Sequence, residues 1–110
     1  MPSWLHDARD HIETHLQKPI SLRCLAGVAR VHPVHFAASF RRYFGCSPGE
    51  YLRRRRLDFV RTSLRNPDLS LAQIAEEAGF ADQSHMTRVF KRFSGVAPGR
   101  YRTFLAFKTR

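Results

Sequence analysis

The chain has 110 residues, 19 Lys and Arg against 9 Asp and Glu, and a net charge of +10. That length supports one domain, or two very small ones sharing a core, and an apolar fraction of 43% excludes a disordered tail. No apolar run approaches the roughly 18–20 residues of a membrane helix, and Asp7, Arg9 and Asp10 interrupt any signal-peptide core, so a soluble cytoplasmic protein with no membrane partner is expected.

The predicted elements are helices throughout. Trp4, Leu5, Ala8, Ile12 and Leu16 form an amphipathic stripe before Pro19. Its outer face is slightly acidic, which suggests a scaffold role. Ser21 caps a short helix carrying Leu22, Leu25, Ala26 and Ala29. Gly27 lies inside that helix, at a cost of up to about 1 kcal/mol relative to Ala. His32-Pro33 starts the next helix, with proline at its first position and Phe36, Phe40, Tyr43 and Phe44 as the inward stripe. A longer helix begins at Ser47-Pro48 and runs to about Leu64, stopped by Asn66-Pro67. Ser70 and Gln73 make a capping box ahead of Leu71, Ile74, Ala75 and Ala78. Gly79 sits where a helix end wants a left-handed residue. Asp82 caps a sixth helix with Met86, Val89, Phe90 and Phe93 inward, and a seventh follows Pro98 with Tyr101 and Leu105 inward and Phe104 at the margin.

These elements repeat. Phe40-Arg41-Arg42-Tyr43-Phe44-Gly45-Cys46-Ser47-Pro48-Gly49-Glu50-Tyr51 returns 50 positions later as Phe90-Lys91-Arg92-Phe93-Ser94-Gly95-Val96-Ala97-Pro98-Gly99-Arg100-Tyr101. His35 and Phe36 pair with His85 and Met86 at the same offset, whereas Leu25, Ala26 and Ala29 pair with Ile74, Ala75 and Ala78 at 49. The extra residue of the second copy falls in a turn. Helix, tight turn and a second, outwardly basic helix make a helix-turn-helix. The expected fold is all-α, with seven helices and two helix-turn-helix subdomains joined by a central linker helix. The segments are 1–46 (first helix and first motif), 47–66 (linker) and 67–110 (second motif and C-terminal helix), acting as one DNA-binding unit. A linker of about 17 residues is roughly 26 Å long. With flanking side chains it can hold two reading helices about 34 Å apart, one turn of B-DNA, which implies an asymmetric site read without a dimer.

One run is sharper still: Ile74-Ala75-x-x-x-Gly79-Phe80-x-Asp82-Gln83-Ser84-His85-Met86-x-Arg88-x-Phe90-Lys91-Arg92-x-x-Gly95-x-x-Pro98-x-x-Tyr101-Arg102. The first copy carries Leu25-Ala26, Ala29, Val31, Pro33, His35-Phe36, Phe40-Arg41, Gly45 and Ser47-Pro48 more loosely, and the linker has Arg56-Leu57. In these positions the chain resembles the DNA-binding region of AraC/XylS-type transcription regulators over nearly its whole length. The resemblance implies promoter binding through two adjacent major grooves. It also implies a separate sensing domain in many members. None is visible in these 110 residues, so the domain is expected to bind as a monomer, with any dimer forming through a sensing domain outside them. The length suits a stand-alone member, and the abrupt start at Pro2-Ser3-Trp4 suits a trimmed domain equally. Two departures stand out. Arg30 takes the first turn where the family usually has Gly, and Ala38 takes the place of Arg88 in the first reading helix.

Outward positions near the start of a reading helix reach base edges. In the second copy these are Gln83, Ser84, His85, Thr87 and Arg88. Arg88 suits guanine and Gln83 suits adenine or a phosphate anchor; the alternative for Arg88 is a salt bridge, with Asp82 the nearest candidate, and His85 could equally be a helix-packing or capping group. In the first copy the equivalent positions are His32, Val34, His35, Ala37 and Ala38, mostly small or apolar, which can meet thymine methyls but offer few hydrogen bonds. Expected phosphate contacts are Arg41, Arg42, Lys91, Arg92 and Arg102. Arg53-Arg54-Arg55-Arg56 points in four directions about 100° apart, and the resemblance implies that Arg56 is the one that pairs internally, with an acidic residue such as Glu76 or Glu77.

No cofactor, metal or catalytic group is expected. His11 and His15 have two-ligand spacing without a third ligand, and Cys24 and Cys46 sit where the repeat reserves no cysteine. The expected function is a sequence-specific regulator of double-stranded DNA, associated with the nucleoid. The alternative has the first motif docking a protein such as RNA polymerase.

Overall fold

The computed structural model describes residues 1–108, and these form seven helices and no strand. They are α1 (Ser3–Thr14), α2 (Leu22–Ala29), α3 (Pro33–Phe44), α4 (Pro48–Ser63), α5 (Leu71–Ala78), α6 (Gln83–Ser94) and α7 (Pro98–Lys108). Two units divide the chain, Met1–Arg55 and Arg56–Arg110. The division falls inside α4, so one helix gives its first half to one unit and its second half to the other.

The helix starts follow from local chemistry. Ser21 Oγ accepts the Cys24 N–H, His32 Nδ1 accepts the Val34 N–H, and Asp82 Oδ1 accepts the His85 N–H at 2.7 Å. Ser70 and Gln73 close a full capping box. Each such cap satisfies an otherwise orphaned donor and is worth about 0.5–2 kcal/mol. The two short helices end alike. The N–H groups of Arg30 and Val31 return to Gly27 and Ala26, and those of Gly79 and Phe80 return to Glu76 and Ala75. Both are Schellman-type ends with a left-handed residue at the turn.

The first unit packs Leu5, Ala8, Ile12, Leu25, Ala26, Phe36, Phe40 and Leu52 into one core. The second packs Leu57, Val60, Leu64, Ile74, Ala75, Ala78, Phe80, Met86 and Phe90. The parallel runs deeper than the helix-turn-helix repeat. Leu5, Ala8 and Ile12 of α1 correspond, 52 positions on, to Leu57 and Val60 of α4 and Leu64 just past its end, with the same i, i+3, i+7 spacing. Arg9 and Arg61 follow suit. Arg9 lies 5.6 Å from the Phe44 ring centroid, and Arg61 lies 5.9 Å from that of Phe90 while donating to Ser94, the counterpart of Phe44. Each unit is therefore four helical segments: a scaffold helix, the two helices of the motif, and a closing helix. The closing helix carries a tyrosine edge-on to the central phenylalanine, Tyr51 on Phe40 and Tyr101 on Phe90.

Three expectations change. Helix α1 stops at Thr14, where the Thr14 hydroxyl donates back to the Asp10 carbonyl and His15 caps the end, although Leu16 still packs on the core. Tyr43 and Phe93 are 46% and 47% exposed, beside the guanidinium groups of Arg42 and Arg92. Phe104 is exposed. Helical period fixes the direction a side chain takes, but not whether a neighbouring element lies there to cover it. Among the described residues no helix is long and apolar enough to cross a membrane.

Candidate nucleic-acid interface

Helix α6 is anchored by Met86 and Phe90, both fully buried, so the opposite face of its first two turns points to solvent. Gln83, Ser84 and Arg88 are exposed there and Thr87 is half-buried. Arg88 makes no hydrogen bond or ion pair among the described residues, and Asp82 is committed to the helix cap. The five donors of its guanidinium are thus available. His85 is divided: its ring stands edge-on to Phe80 at 5.4 Å, and Nδ1 is buried without a hydrogen-bond partner. Only Nε2 remains to meet a base. The equivalent ring, His35, packs against Trp4 at 5.8 Å. Both repeated histidines therefore hold their helix to an aromatic neighbour.

Helix α3 presents a different surface. Val34 is 71% exposed and Ala38 is exposed. Ala37 instead lines an apolar cleft of about 280 Å³ with Leu22, Leu25, Pro48, Gly49 and Leu52, which turns it toward its own unit.

The basic positions also differ between copies. Arg41 faces Glu50 at 3.5 Å, and Glu50 Oε1 also accepts from the Ser47 hydroxyl. The Ser47 hydrogen bonds hold the Glu50 carboxyl below the usual range against a desolvation effect that raises it, and Arg41 and Arg54 lower it further. In the second copy Ala97 and Arg100 replace Ser47 and Glu50, so Lys91 has no acidic neighbour at that position. Lys91, Arg92 and Arg42 are exposed. Arg102 is half-buried: Nε donates to the Leu64 carbonyl at 3.2 Å and Nη2 to the Asn66 carbonyl at 3.3 Å. In the linker run, Arg55 Nε donates to Glu13 at 2.8 Å, and burial pulls the Arg56 guanidinium below the ordinary arginine range. Glu76 and Glu77 are exposed.

Sequence reasoning set Arg30 aside as an irregularity. It is exposed in the turn before α3, at φ +59° and ψ +39°. It aligns with Gly79, which holds the same left-handed turn in the second copy. Elsewhere, both cysteines are free thiols, and the rings of His11 and His15 stack at 4.1 Å. Among the described residues no group of three His, Cys, Asp or Glu could hold a metal ion.

Comparison with known proteins agrees with this architecture. Residues 25–103 match a family model described as a helix-turn-helix domain. The chain is 36% identical over 96 residues to the probable transcriptional regulator LumQ of Photobacterium leiognathi, covering 87% of this chain and 39% of LumQ. It is 33% identical over 100 residues to the probable transcription factor PqrA of Proteus vulgaris, covering 89% of this chain and 82% of PqrA. The chain thus spans well under half of one relative and most of the other. Two solved structures share the fold. The DNA-binding domain of AdpA, a global transcriptional factor solved with a target DNA, has a TM-score of 0.89 at 24% identity and covers 94% of each chain. An AraC-type regulator from Chromobacterium violaceum has 0.82 at 24%, covering 94% of this chain and 93% of that one. These are regulators, not enzymes, and the chain belongs to the AraC-type helix-turn-helix family of transcription regulators.

Proposed function

We propose that the protein binds double-stranded DNA at an asymmetric promoter site, with α6 and α3 entering successive major grooves. We further propose that α6 sets most of the sequence specificity. The carrying observation is the exposed, unpaired Arg88 beside Gln83 and Ser84, on a helix locked from beneath by Met86 and Phe90. A guanidinium so placed can donate two hydrogen bonds to guanine. On α3 the corresponding surface includes Val34 and Ala38, able to meet thymine methyls but neither with a side-chain donor, beside an exposed His35 whose ring packs on Trp4.

Phosphate attraction supplies the grip. Lys91, Arg92, Arg42 and the partly paired Arg41 stand on the same helices as the reading positions. Arg102, already bonded to two carbonyls, is a weaker phosphate ligand than the others. Binding as a monomer, in the cytoplasm and on the nucleoid, is part of the same reading.

Footprinting on a duplex selected from a random pool tests it. Protection over two successive major grooves is the expected result, and affinity should fall with salt at a log–log slope near −5 for about six neutralised phosphates. A second reading has support in Val34, a large apolar side chain 71% exposed on α3. There α3 docks a protein, RNA polymerase being the natural choice, and α6 alone reads DNA. Protection over a single major groove is its signature.

A further inference from the structure

We infer that Arg30, in the turn of the first helix-turn-helix, is a phosphate-gripping residue that has taken over a glycine position at the expense of backbone strain. The inference rests on the DNA-binding reading and adds a contact to it.

Arg30 is the only non-glycine residue with a positive φ among the described residues. Its φ of +59° and ψ of +39° lie in the left-handed region, where a Cβ crowds its own carbonyl. The second copy carries glycine at the same place, Gly79 with φ +90°, and the two turns have the same hydrogen bonds. The geometry is thus demanded by the fold, and only the side chain differs. Arginine has no local way to relieve that strain, unlike asparagine or aspartate. Strain held at one position points to a use for the side chain.

The side chain is placed for one. It is exposed, and it forms no hydrogen bond or ion pair with any described residue. It lies two residues before His32, the cap of α3. In a helix-turn-helix the start of the second helix enters the major groove, and phosphates line the groove edge. An arginine one short step outside that start reaches an edge phosphate with a charge-assisted, bidentate pair. It also offsets what the first copy lacks. Arg41 is partly engaged by Glu50, and Ala38 stands where the second copy has Arg88. The first motif thereby gains grip from its turn.

The alternative role for Arg30 is electrostatic support of the α2 C-terminus, and the two roles predict opposite pairings of stability and binding. The test uses Arg30→Gly, Arg30→Asn and Arg30→Lys in the intact chain, on 30-base-pair duplexes selected from a random pool, between 50 and 200 mM salt. Gly and Asn relieve the strain, so the melting temperature should hold or rise by about 3–6 °C. Both should lower affinity about 5–10-fold at 0.1 M salt and reduce the salt slope by about 0.9, the share of one phosphate. Lys, which keeps the charge, should retain most of the slope. An unchanged affinity and slope in Arg30→Gly, beside a steep wild-type slope, overturns this inference and leaves the DNA-binding reading standing. A wild-type chain whose binding ignores salt overturns both.

Discussion

Arg102 reaches 38 residues back along the chain to donate its Nε–H to the carbonyl of Leu64, just past the end of α4. A second donor, Nη2, meets the carbonyl of Asn66. A carbonyl at a helix end, like that of Leu64, lacks an intrahelical partner and lies at the negative end of the helix dipole. The Asn66 carbonyl also accepts the Leu69 N–H, so the guanidinium satisfies the one, shares the other and ties α7 to the end of α4 within the second unit. The first unit makes the same tie with different chemistry, Arg55 and Tyr51 of α4 holding Glu13 of α1.

Arg102→Ala is therefore expected to lower stability by about 1–2 kcal/mol, since two hydrogen bonds from a charged donor are lost at a partly exposed site. Thermal or urea unfolding measures it. If the residue acts through this tie, the salt slope of DNA binding stays near its wild-type value. A slope reduced by about one, with stability intact, would return Arg102 to the phosphate-contacting set.

The Glu13 cluster makes the first unit sensitive to acid. Burial alone would raise the Glu13 carboxyl, but hydrogen bonds from Arg55 and Tyr51 outweigh it, so its pKa falls below the unfolded value. A lowered carboxylate pKa gives stability that is present above the unfolded value, near 4.5, and is lost as pH falls through the folded one. The Tyr51 phenol is pushed the other way, to about 12, by burial and by the Glu13 charge. Stability from that group is complete below pH 10 and is lost as pH rises through about 12. Unfolding measured across pH should show both limbs. In Glu13→Gln the acid limb should flatten and the alkaline limb move toward pH 10. A wild-type acid limb retained in Glu13→Gln would assign the acid loss to another group.

Among the described residues Arg88 has no hydrogen-bond or ion-pair partner, so its removal should separate binding from folding. Arg88→Ala is expected to leave the melting temperature within about 1 °C of wild type. On a selected duplex it should cost about 1–3 kcal/mol of binding and relax preference at one base pair. Binding assays on a panel of single-base variants read both effects. Loss of affinity without any relaxed preference would make Arg88 a phosphate ligand.

The fold could be read in the sequence wherever a residue type acts through its own backbone. Ser21, Ser70 with Gln73, Asp82 and Gly79 each stand at the cap or turn their chemistry specifies. The relation between α1 and the second half of α4 was harder to see. Only Leu5, Ala8, Arg9 and Ile12 against Leu57, Val60, Arg61 and Leu64 carry it, at an offset of 52 where the motif repeats at 50 and 49. Small changes in loop length conceal such a register. The exposure of the proposed reading positions was legible as far as helix phase reaches. Gln83, Ser84 and Arg88 are exposed as that phase requires, whereas Ala37 is turned into its own unit and Arg102 is taken up by carbonyls 36–38 residues away. Contacts at that separation leave no local trace in the sequence.

The two copies have kept one scaffold and diverged at the surface, and the proposed readout makes that divergence measurable on DNA. Second-copy side chains Gln83, Ser84 and Arg88 offer donors and acceptors, and Lys91 is free of the carboxylate that faces Arg41. First-copy Val34 and Ala38 offer only apolar contact. A hydrogen-bonded base pair typically discriminates by about 1–3 kcal/mol, and contact with a thymine methyl by a single alanine or valine should give less. A base-by-base substitution scan of a selected site is thus expected to show its large losses clustered in one half. Introducing the missing donor by Ala38→Arg should add a dependence on one further base pair in the other half, with little change in melting temperature because Ala38 is exposed. Losses of equal size in both halves of the wild-type site would contradict the division of labour between α6 and α3.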